Sequence, residues 1–193
     1  MRFIVVDGLD GCGKDTHARR IGSYLESKGE KVFIISHPSE RRLGRIAKKS
    51  LQGSGKLARL IATLFYTADV LISVRLLKKQ ENGTIIFVRY LLGTAYLPKS
   101  LASTGYKIFR NLLPFPNMAF FIDITPEVAI RRIQLRDHKR EMFETMEKLI
   151  EVRKIAKSLV SKEWIIIDNS VDGEKPFEEV RKILESRMMN TDV

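Results

Sequence analysis

The sequence contains little of what marks secreted, zinc-binding or membrane-spanning proteins. It has one cysteine, Cys12, which excludes an internal disulfide and is typical of a reducing compartment. Its histidines, His17, His37 and His138, have no close cysteine or carboxylate partner along the chain, so they give no zinc signature. No apolar run approaches the roughly 18 residues that a bilayer span needs. We therefore expect a soluble, cytoplasmic protein with no membrane partner.

Acidic residues are outnumbered: 34 Lys and Arg stand against 23 Asp and Glu, for a formal charge of +11. Such a surface favours polyanions, which include nucleotides, nucleic acid and acidic lipid, and charge alone does not choose among them. The 193 residues are 44% hydrophobic, enough for one compact domain with a buried core. We see no repeat, low-complexity tract or linker, so we predict a single domain over residues 1–193.

Short, near-continuously apolar segments alternate with longer segments of helical character. The apolar segments are typical of strands covered on both faces of a parallel sheet: RFIVVD, KVFIIS, TIIFV, MAFFID and WIIID. Helices are predicted between them, over 14–28, 40–52, 57–80, 91–113, 126–135, 141–161 and 176–188. This alternation predicts an α/β fold with right-handed crossovers and ligands at the carboxyl ends of the strands.

The segment GLDGCGK, from Gly8 to Lys14, fits the phosphate-loop pattern G-x-x-x-x-G-K directly after a strand and before a helix. Its glycines let backbone N–H groups converge on phosphate oxygens, and Lys14 can reach the outer phosphates. An ordinary glycine-rich turn does not explain a lysine at this spacing. We assign nucleotide binding to Gly8, Leu9, Asp10, Gly11, Cys12, Gly13, Lys14, Asp15 and Thr16.

The residue after the lysine is an acid, Asp15, where such loops usually carry a serine or threonine hydroxyl for magnesium. Thr16 is a poor substitute, because one step along a helix turns the side chain by about 100°. An unpaired carboxylate would repel a triphosphate, whereas a carboxylate on Mg²⁺ is an ordinary arrangement. Asp15 therefore either binds the metal or weakens the site.

From end to end the chain resembles the thymidylate kinases, homodimeric P-loop enzymes that pass a phosphoryl group from ATP to dTMP. The resembling segments are FIVVDGLDGCGK, SHPSERRLG, LFYTAD, VRYLLGTAY, PFPNMAFFIDITPEVAIRR and RDHKREMFETMEKLIEVRK. The resemblance implies a three-layer α/β/α domain with a roughly five-stranded parallel sheet and a short lid at about 132–142. It also implies ATP, Mg²⁺, small nucleotide substrates and a homodimer.

The resemblance further implies an acceptor site on the same edge of the sheet. Asp10 would contact the sugar hydroxyl of the acceptor, Arg41 would hold its phosphate, and the Phe65 ring would pack on its base. Arg89 and Tyr90 correspond to the second and third residues of the family's Asp-Arg-Tyr stretch. Separately, His37 lies at a strand end beside this pocket and could touch a phosphate.

Phosphoryl transfer depends mostly on positioning and charge neutralisation, so it needs cations that converge on the transferred group. Some thymidylate kinases place a catalytic arginine in the loop, and others have glycine there with basic residues in the lid. Gly11 puts this chain in the second group. We assign catalytic roles to Lys14, Asp15, Arg89, Arg136 and Arg140. The alternative for the basic lid segment is a solvated helix face.

Three departures from the family pattern bear on the site. The stretch from Arg89 to Ala95 is one residue shorter than the family spacing, with Leu97 where an amide often contacts the base, and the other two concern acids. Val88 replaces the acid of the Asp-Arg-Tyr stretch, so together with Asp15 it suggests that a metal-linked carboxylate has moved from the strand end to the loop. Four residues after Phe65 the family has an arginine that contacts thymine, and here Asp69 stands there. A carboxylate only accepts hydrogen bonds, so it would favour an amino-bearing base edge, unless it points to solvent or pairs with a cation such as Arg75.

Three readings remain open at the level of the sequence. The favoured one is a Mg²⁺-dependent nucleoside monophosphate kinase, with dTMP as the first acceptor. The second keeps the chemistry but changes the acceptor to another nucleotide, a nucleoside or a nucleic-acid end; nucleic acid is less favoured, because the chain shows no recognisable RNA module. The third is a catalytically silent ATP-binding protein whose metal site has been lost.

Overall fold

The computed structural model describes residues 1–53, 55–135, 143–171 and 173–189. Five parallel strands form one sheet in the order β2-β3-β1-β4-β5, which confirms the predicted α/β class and the five predicted strands. The strands are β1 (Arg2–Gly8), β2 (Val32–Ser36), β3 (Thr84–Val88), β4 (Met118–Asp123) and β5 (Trp164–Asp168).

Helices connect the strands: α1 (Lys14–Ser27), α2 (Arg42–Leu51), α3 (Gly55–Lys79), α4 (Lys99–Leu112), α5 (Pro126–Gln134), α6 (Met146–Leu159) and α7 (Lys175–Met189). The predicted helix over 91–113 is wrong in one respect, because it is two elements, a 3₁₀ helix (Leu92–Tyr96) and α4. Pro98 separates them: it disfavours a helical Leu97, which is extended at φ −69° and ψ 161°.

The core explains why the central strands are apolar on both faces. Every residue of β3 and β4 is buried, and the rings of Phe3, Phe87 and Tyr90 meet edge to face at centroid distances of 4.9 to 5.5 Å. Each such side chain contributes about 1.5–3 kcal/mol of burial free energy. β2 and β3 lie on one side of β1, and β4 and β5 lie on the other. The carboxyl end of β1 is therefore at the switch point of the sheet, where ligands bind in open α/β folds.

Asp123 and His17 are both held by side chains of other elements. Asp123, at the end of β4, accepts two hydrogen bonds of 2.9 Å from Arg153 and one of 3.1 Å from Lys157, which are structural contacts between β4 and α6. His17 is 4% exposed because α1 packs it against the Phe177 ring of α7. His138 lies outside the described residues.

The expectation that no apolar run approaches span length is wrong for α3. The segment Leu57–Lys79 is long and apolar enough to cross a membrane, and 33% of its most apolar window is buried. The same helix buries Asp69, Val70 and Ser73 against the rest of the fold. Core helices of soluble proteins pass the same length and composition test, so the finding carries little weight for a membrane.

Candidate active site

The phosphate loop joins β1 to α1 and is shaped by two glycines in the left-handed region, Gly11 at φ +80° and Gly13 at φ +86°. A Cβ on Gly11 would lie 2.7 Å from the carbonyl oxygen of Ala129 in α5. Any side chain at position 11 would therefore displace backbone. This contact gives a physical reason why the loop has no arginine there and why catalytic cations would have to come from elsewhere.

Lys14 is the first residue of α1 and is 5% exposed. Its Nζ donates to the carbonyl oxygen of Leu9 at 3.0 Å and lies 3.5 Å from Asp10 Oδ1. The ammonium group is thus held inside the curve of the loop, close to the N-terminal end of the helix. Both features favour the binding of phosphate oxygens.

Asn169, directly after β5, ties the phosphate loop to the rest of the sheet edge. Its Nδ2 donates to the carbonyl oxygen of Cys12 at 2.8 Å, and its own carbonyl accepts from Arg132 Nη2 at 3.0 Å. Sequence reasoning missed Asn169, because it lies more than 150 positions from the loop and its neighbours carry no motif. Cys12 itself is buried, and burial raises the pKa of its thiol, which disfavours the reactive thiolate.

Asp15 and Thr16 are exposed on the first turn of α1. The Asp15 carboxylate accepts a hydrogen bond of 3.2 Å from Ser36 Oγ at the end of β2. Ser36 pairs in register with Val88, which is 1% exposed. The strand end beside the loop is thus apolar, and Asp15 supplies a carboxylate near it.

Asp10 is the centre of a buried charge cluster. Its carboxylate pairs with the Arg89 guanidinium, accepts from the Tyr96 hydroxyl at 2.9 Å and lies close to Lys14. Burial raises the pKa of Asp10, but the charges of Arg89 and Lys14 and the hydrogen bonds from Arg89 and Tyr96 outweigh it, so the pKa lies below the ordinary value. Asp10 therefore stays ionised and holds Arg89 at the mouth of the loop.

The backbone of Arg89 is strained, with φ +63°, an uncommon conformation for a residue other than glycine. The turn is secured by Asp7, whose carboxylate accepts from the N–H groups of Tyr90 and Leu92, each at 2.9 Å. Burial raises the pKa of Asp7. Strain of this kind persists where surrounding contacts impose it, and here they aim the Arg89 side chain at Asp10.

A cavity lies beside this cluster. Its walls are mainly apolar and aromatic, and its charged residues are Asp10, Arg59 and Arg89. It is lined by Asp10, Pro38, Leu51, Arg59, Ala62, Thr63, Tyr66, Thr67, Arg89, Gly93, Thr94, Tyr96, Leu97, Phe109 and Phe143. Arg59 lies over the Phe143 ring at 5.4 Å, and that ring meets Tyr96 edge to face at 5.1 Å. Sequence reasoning missed these three residues.

Five of the seven predicted acceptor residues are not among those that line this cavity: His37, Arg41, Phe65, Asp69 and Tyr90. Tyr66, next to Phe65, lines it instead, with its hydroxyl donating to the carbonyl oxygen of Arg89 at 3.1 Å. The Tyr66 ring packs so closely on Gly93 that a Cβ there would lie 2.5 Å from the hydroxyl oxygen. Tyr90 is wholly buried in the core, where its hydroxyl donates to Pro114.

A second hydrogen-bonded group, next to Pro38, consists of Ser39, Arg41 and Asp69. Asp69 is 0% exposed and accepts from the Ser39 N–H and hydroxyl, both at 2.7 Å, and from Arg41 Nε at 3.0 Å. Asp69 therefore pairs with a cation, as one predicted alternative had it, but that cation is Arg41 where Arg75 was the example. Arg41 lines an adjacent surface cleft that shares Pro38 with the cavity.

His37 is buried between the two groups. Its Nδ1 lies 3.1 Å from the carbonyl oxygen of Arg89, and its Nε2 lies 2.7 Å from Ser73 Oγ. Both ring nitrogens are therefore engaged by protein groups. The predicted lid residues Arg136 and Arg140 lie outside the described residues, whereas Arg132, at the start of that segment, contacts Asn169.

A family model described as thymidylate kinase matches residues 6–183. The chain belongs to the thymidylate kinase family. A thymidylate kinase of Leptospira borgpetersenii is 29% identical over 198 residues, covering 97% of this chain and 94% of that protein. One of Thermosipho melanesiensis is 27% identical over 199 residues, covering 96% and 98%.

A solved structure of thymidylate kinase from Candida albicans superposes with a TM-score of 0.74 at 19% identity, covering 97% of this chain and 92% of that one. At this level of identity the likeness supports the fold, which it matches over nearly the whole chain. The thymidylate kinase fold is therefore shared from β1 to α7.

The cavity bears on the predicted spacing in α3, because Tyr66 lines it and Phe65 is not among its lining residues. The family pattern pairs an aromatic residue with an arginine four positions later. Counted from Tyr66 instead of Phe65, the fourth position is Val70, which is 1% exposed in the core. On this count Asp69 is not the counterpart of the base-reading arginine, and the helix supplies no charged group at that place.

Proposed function

We propose that the protein is an ATP- and Mg²⁺-dependent nucleoside monophosphate kinase that transfers the γ-phosphoryl group of ATP to dTMP. One observation carries the proposal: the phosphate loop with Lys14 and the aromatic-lined cavity open at the same sheet edge, and the Asp10–Arg89 pair lies between them. Donor and acceptor would thus meet at a cationic centre.

On the donor side, the loop from Gly8 to Thr16 would hold the ATP phosphates with its N–H groups. Lys14 would leave its contacts with Leu9 and Asp10 for the outer phosphates. An oxygen of the acceptor phosphate then forms a bond to the γ-phosphorus as the bond to the bridging oxygen breaks, and ADP leaves. Lys14 and Arg89 would stabilise the charge on the transferred group.

The residues present fit a magnesium ion. Asp15 offers an exposed carboxylate oxygen directly after the loop, and hard cations prefer oxygen ligands. Magnesium at substrate phosphates is usually held by only one or two protein carboxylates together with phosphate oxygens and water. When bound, Mg²⁺ neutralises phosphate charge. Asp15 would then replace the carboxylate that Val88 does not supply.

On the acceptor side, the base would lie in the cavity against Tyr66, and Arg89 would bind the acceptor phosphate. Arg41, three residues after Pro38, would also bind that phosphate. It would use Nη1, since its Nε and Nη2 contact Asp69 and Ser73. In this proposal Asp69 orients Arg41 and does not read the base. Arg136 and Arg140 would close from the lid at about 132–142 within a single domain.

The likeness to the family also suggests a cytoplasmic homodimer. The outward side of α3 carries exposed Leu57, Leu60 and Leu64, a helical stripe suited to a second copy of the chain. The buried groups that α3 contributes to the site argue against its insertion in a membrane. A molar mass of one chain in light scattering would contradict the dimer.

The test is an ADP-release assay with ATP, Mg²⁺ and each nucleoside monophosphate in turn. We expect ADP only with an acceptor present and the highest kcat/KM for dTMP. Preference for another nucleotide would retain the kinase and overturn the thymidylate assignment. ATP binding with no ADP from any acceptor would identify a silent nucleotide-binding protein.

A further inference from the structure

We propose that Ser73 and His37 are positioning residues that hold Arg41 and Arg89 in one arrangement through a buried hydrogen-bond chain. The proposal rests on the proposed function, in which these two arginines bind the acceptor phosphate. Ser73 had no place in the sequence interpretation, and His37 was expected to touch the phosphate itself. The structure gives both residues a different part, behind the arginines.

The chain runs through four residues from three separate segments. Arg41 Nη2, at the start of α2, contacts Ser73 Oγ on α3. Ser73 Oγ lies 2.7 Å from His37 Nε2, and His37 Nδ1 lies 3.1 Å from the carbonyl oxygen of Arg89 after β3. Ser73 is 0% exposed and His37 is 4% exposed, so water does not compete for these bonds.

The partners fix the direction of each hydrogen bond. A carbonyl oxygen only accepts, so Nδ1 of His37 carries the hydrogen towards Arg89. In a neutral imidazole Nε2 then accepts. The Ser73 hydroxyl therefore donates to Nε2 at 2.7 Å in preference to the Asp69 carbonyl oxygen of its own helix at 3.2 Å, and it accepts from Arg41. Burial lowers the pKa of His37 to about 4, against the opposing charge of Asp69, so the ring is neutral near pH 7.

Both ends of the chain are held from a second side as well. Asp69, one helical turn before Ser73, pairs with Arg41 at 2.9 Å, and Tyr66 donates to the same Arg89 carbonyl at 3.1 Å. Tyr66, Asp69 and Ser73 all belong to α3. This one helix therefore sets the positions of two arginines that come from different loops of the protein. Removal of the Ser73 hydroxyl would leave Arg41 and His37 each without one partner.

The first test compares Ser73→Ala with Ser73→Thr and with the control Ser186→Ala. Ser186 also bonds a carbonyl of its own helix, but on exposed α7. Because hydrogen bonds to charged groups are the stronger ones, we expect Ser73→Ala to raise the KM for dTMP by about tenfold or more while the KM for ATP changes less than about twofold. Ser73→Thr, which keeps the hydroxyl, should restore most of the loss, and the control should behave like the wild type.

A double-variant cycle separates positioning from packing. If Ser73 acts through Arg41, Ser73→Ala should change the KM for dTMP little further in an Arg41→Met background. An equal rise in both backgrounds, or an equal rise in the KM values for ATP and dTMP, would overturn the proposal.

The third test does not depend on activity. In protein labelled with ¹⁵N-histidine, His37, assigned with a His37→Gln variant, should be neutral near pH 7 with the hydrogen on Nδ1. Its Nε2 signal should shift in Ser73→Ala, which removes the hydroxyl, and should change little in Ser73→Thr, which keeps it. A charged His37 ring, or a hydrogen on Nε2 instead of Nδ1, would overturn the proposed hydrogen-bond chain even if the wild type phosphorylates dTMP. Conversely, the predicted tautomer in a protein without kinase activity would leave the chain standing and remove the function.

Discussion

The donor and acceptor sides of the site are built on different principles. On the proposed donor side, the contacts would come from nine consecutive residues, 8–16, which are the glycine-rich loop and the first turn of α1. On the acceptor side, the contacts come from α2, α3, the turn after β3 and the 3₁₀ helix, and they are made by side chains. A site made of local backbone can be recognised in a short motif, whereas a site made of distant side chains depends on how the helices pack.

The first prediction tests the donor side, where one residue, Lys14, would bind the outer phosphates. Lys14→Met should lower kcat by at least about a hundredfold, because it removes a charge that stabilises the transferred group. Lys28→Met, at the exposed end of α1, is the matched control and should be neutral. Steady-state kinetics with ATP and dTMP provide the measurement, and circular dichroism checks the fold. Normal kcat in Lys14→Met would contradict the loop assignment.

The second prediction concerns the acid that follows the lysine. Asp15→Ala should abolish phosphoryl transfer at ordinary Mg²⁺ concentrations, since the chain loses its carboxylate near the metal. Asp15→Ser together with Val88→Asp should retain some activity, because the carboxylate returns to the strand end. Kinetics over a Mg²⁺ titration test both variants. Full activity of Asp15→Ala would remove the idea that the carboxylate has moved.

The third prediction asks which aromatic residue of α3 faces the acceptor. Tyr66→Leu should raise the KM for dTMP by about tenfold, because it removes a ring from the cavity wall and a hydroxyl from the Arg89 carbonyl. Phe65→Leu, one position away, should leave that KM within about twofold. The reverse ranking would restore the original assignment of Phe65.

The fourth prediction concerns pH and has the smallest expected effect. The pKa of His37 is lowered from the ordinary 6.5 to about 4 in the folded protein, so the unfolded chain binds the proton first as pH falls. Stability from a neutral His37 is fully present above about pH 6.5 and declines between pH 6.5 and 4, by at most about 1.4 kcal/mol per pH unit. Carboxylates with lowered pKa values, such as Asp10, act below this window.

Urea unfolding of the wild type and of His37→Gln at several pH values measures this slope. The variant should have a shallower slope between pH 6.5 and 4.5. His17, on the donor side, also has a pKa lowered by burial, so His17→Gln is the comparison that assigns its share of the slope. Asp7, whose pKa burial raises, contributes with the opposite sign in the wild type and in both variants. Parallel slopes in the wild type and His37→Gln would contradict a neutral, buried His37.

The sequence predicted the strands and the loop because both depend on local order. Five apolar runs became five strands, and the glycine and lysine spacing became the loop, since neither needs long-range information. It was harder to predict which side of α3 lines the cavity. That helix is apolar on several sides, and its periodicity does not single out Tyr66 over Phe65. The break before α4 was readable in principle, since Pro98 disfavours a helical residue before it.

The rest of the site could not be read from short patterns. Ser73 and Asn169 are ordinary polar residues until the fold brings one to His37 and the other to Cys12. Asp69 was considered as a reader of the base because its spacing from Phe65 fitted, but its burial against Ser39 and Arg41 gives it structural partners. In each case the role depends on a neighbour that is remote in sequence.

The most direct test of the central claim is to follow the phosphoryl group itself. The protein should be incubated with Mg²⁺, dTMP and ATP labelled with ¹⁸O on the γ-phosphate, and the nucleotides analysed by mass spectrometry. We predict dTDP that carries the label, together with unlabelled ADP. Labelled inorganic phosphate without labelled dTDP, or no consumption of ATP, would contradict the account.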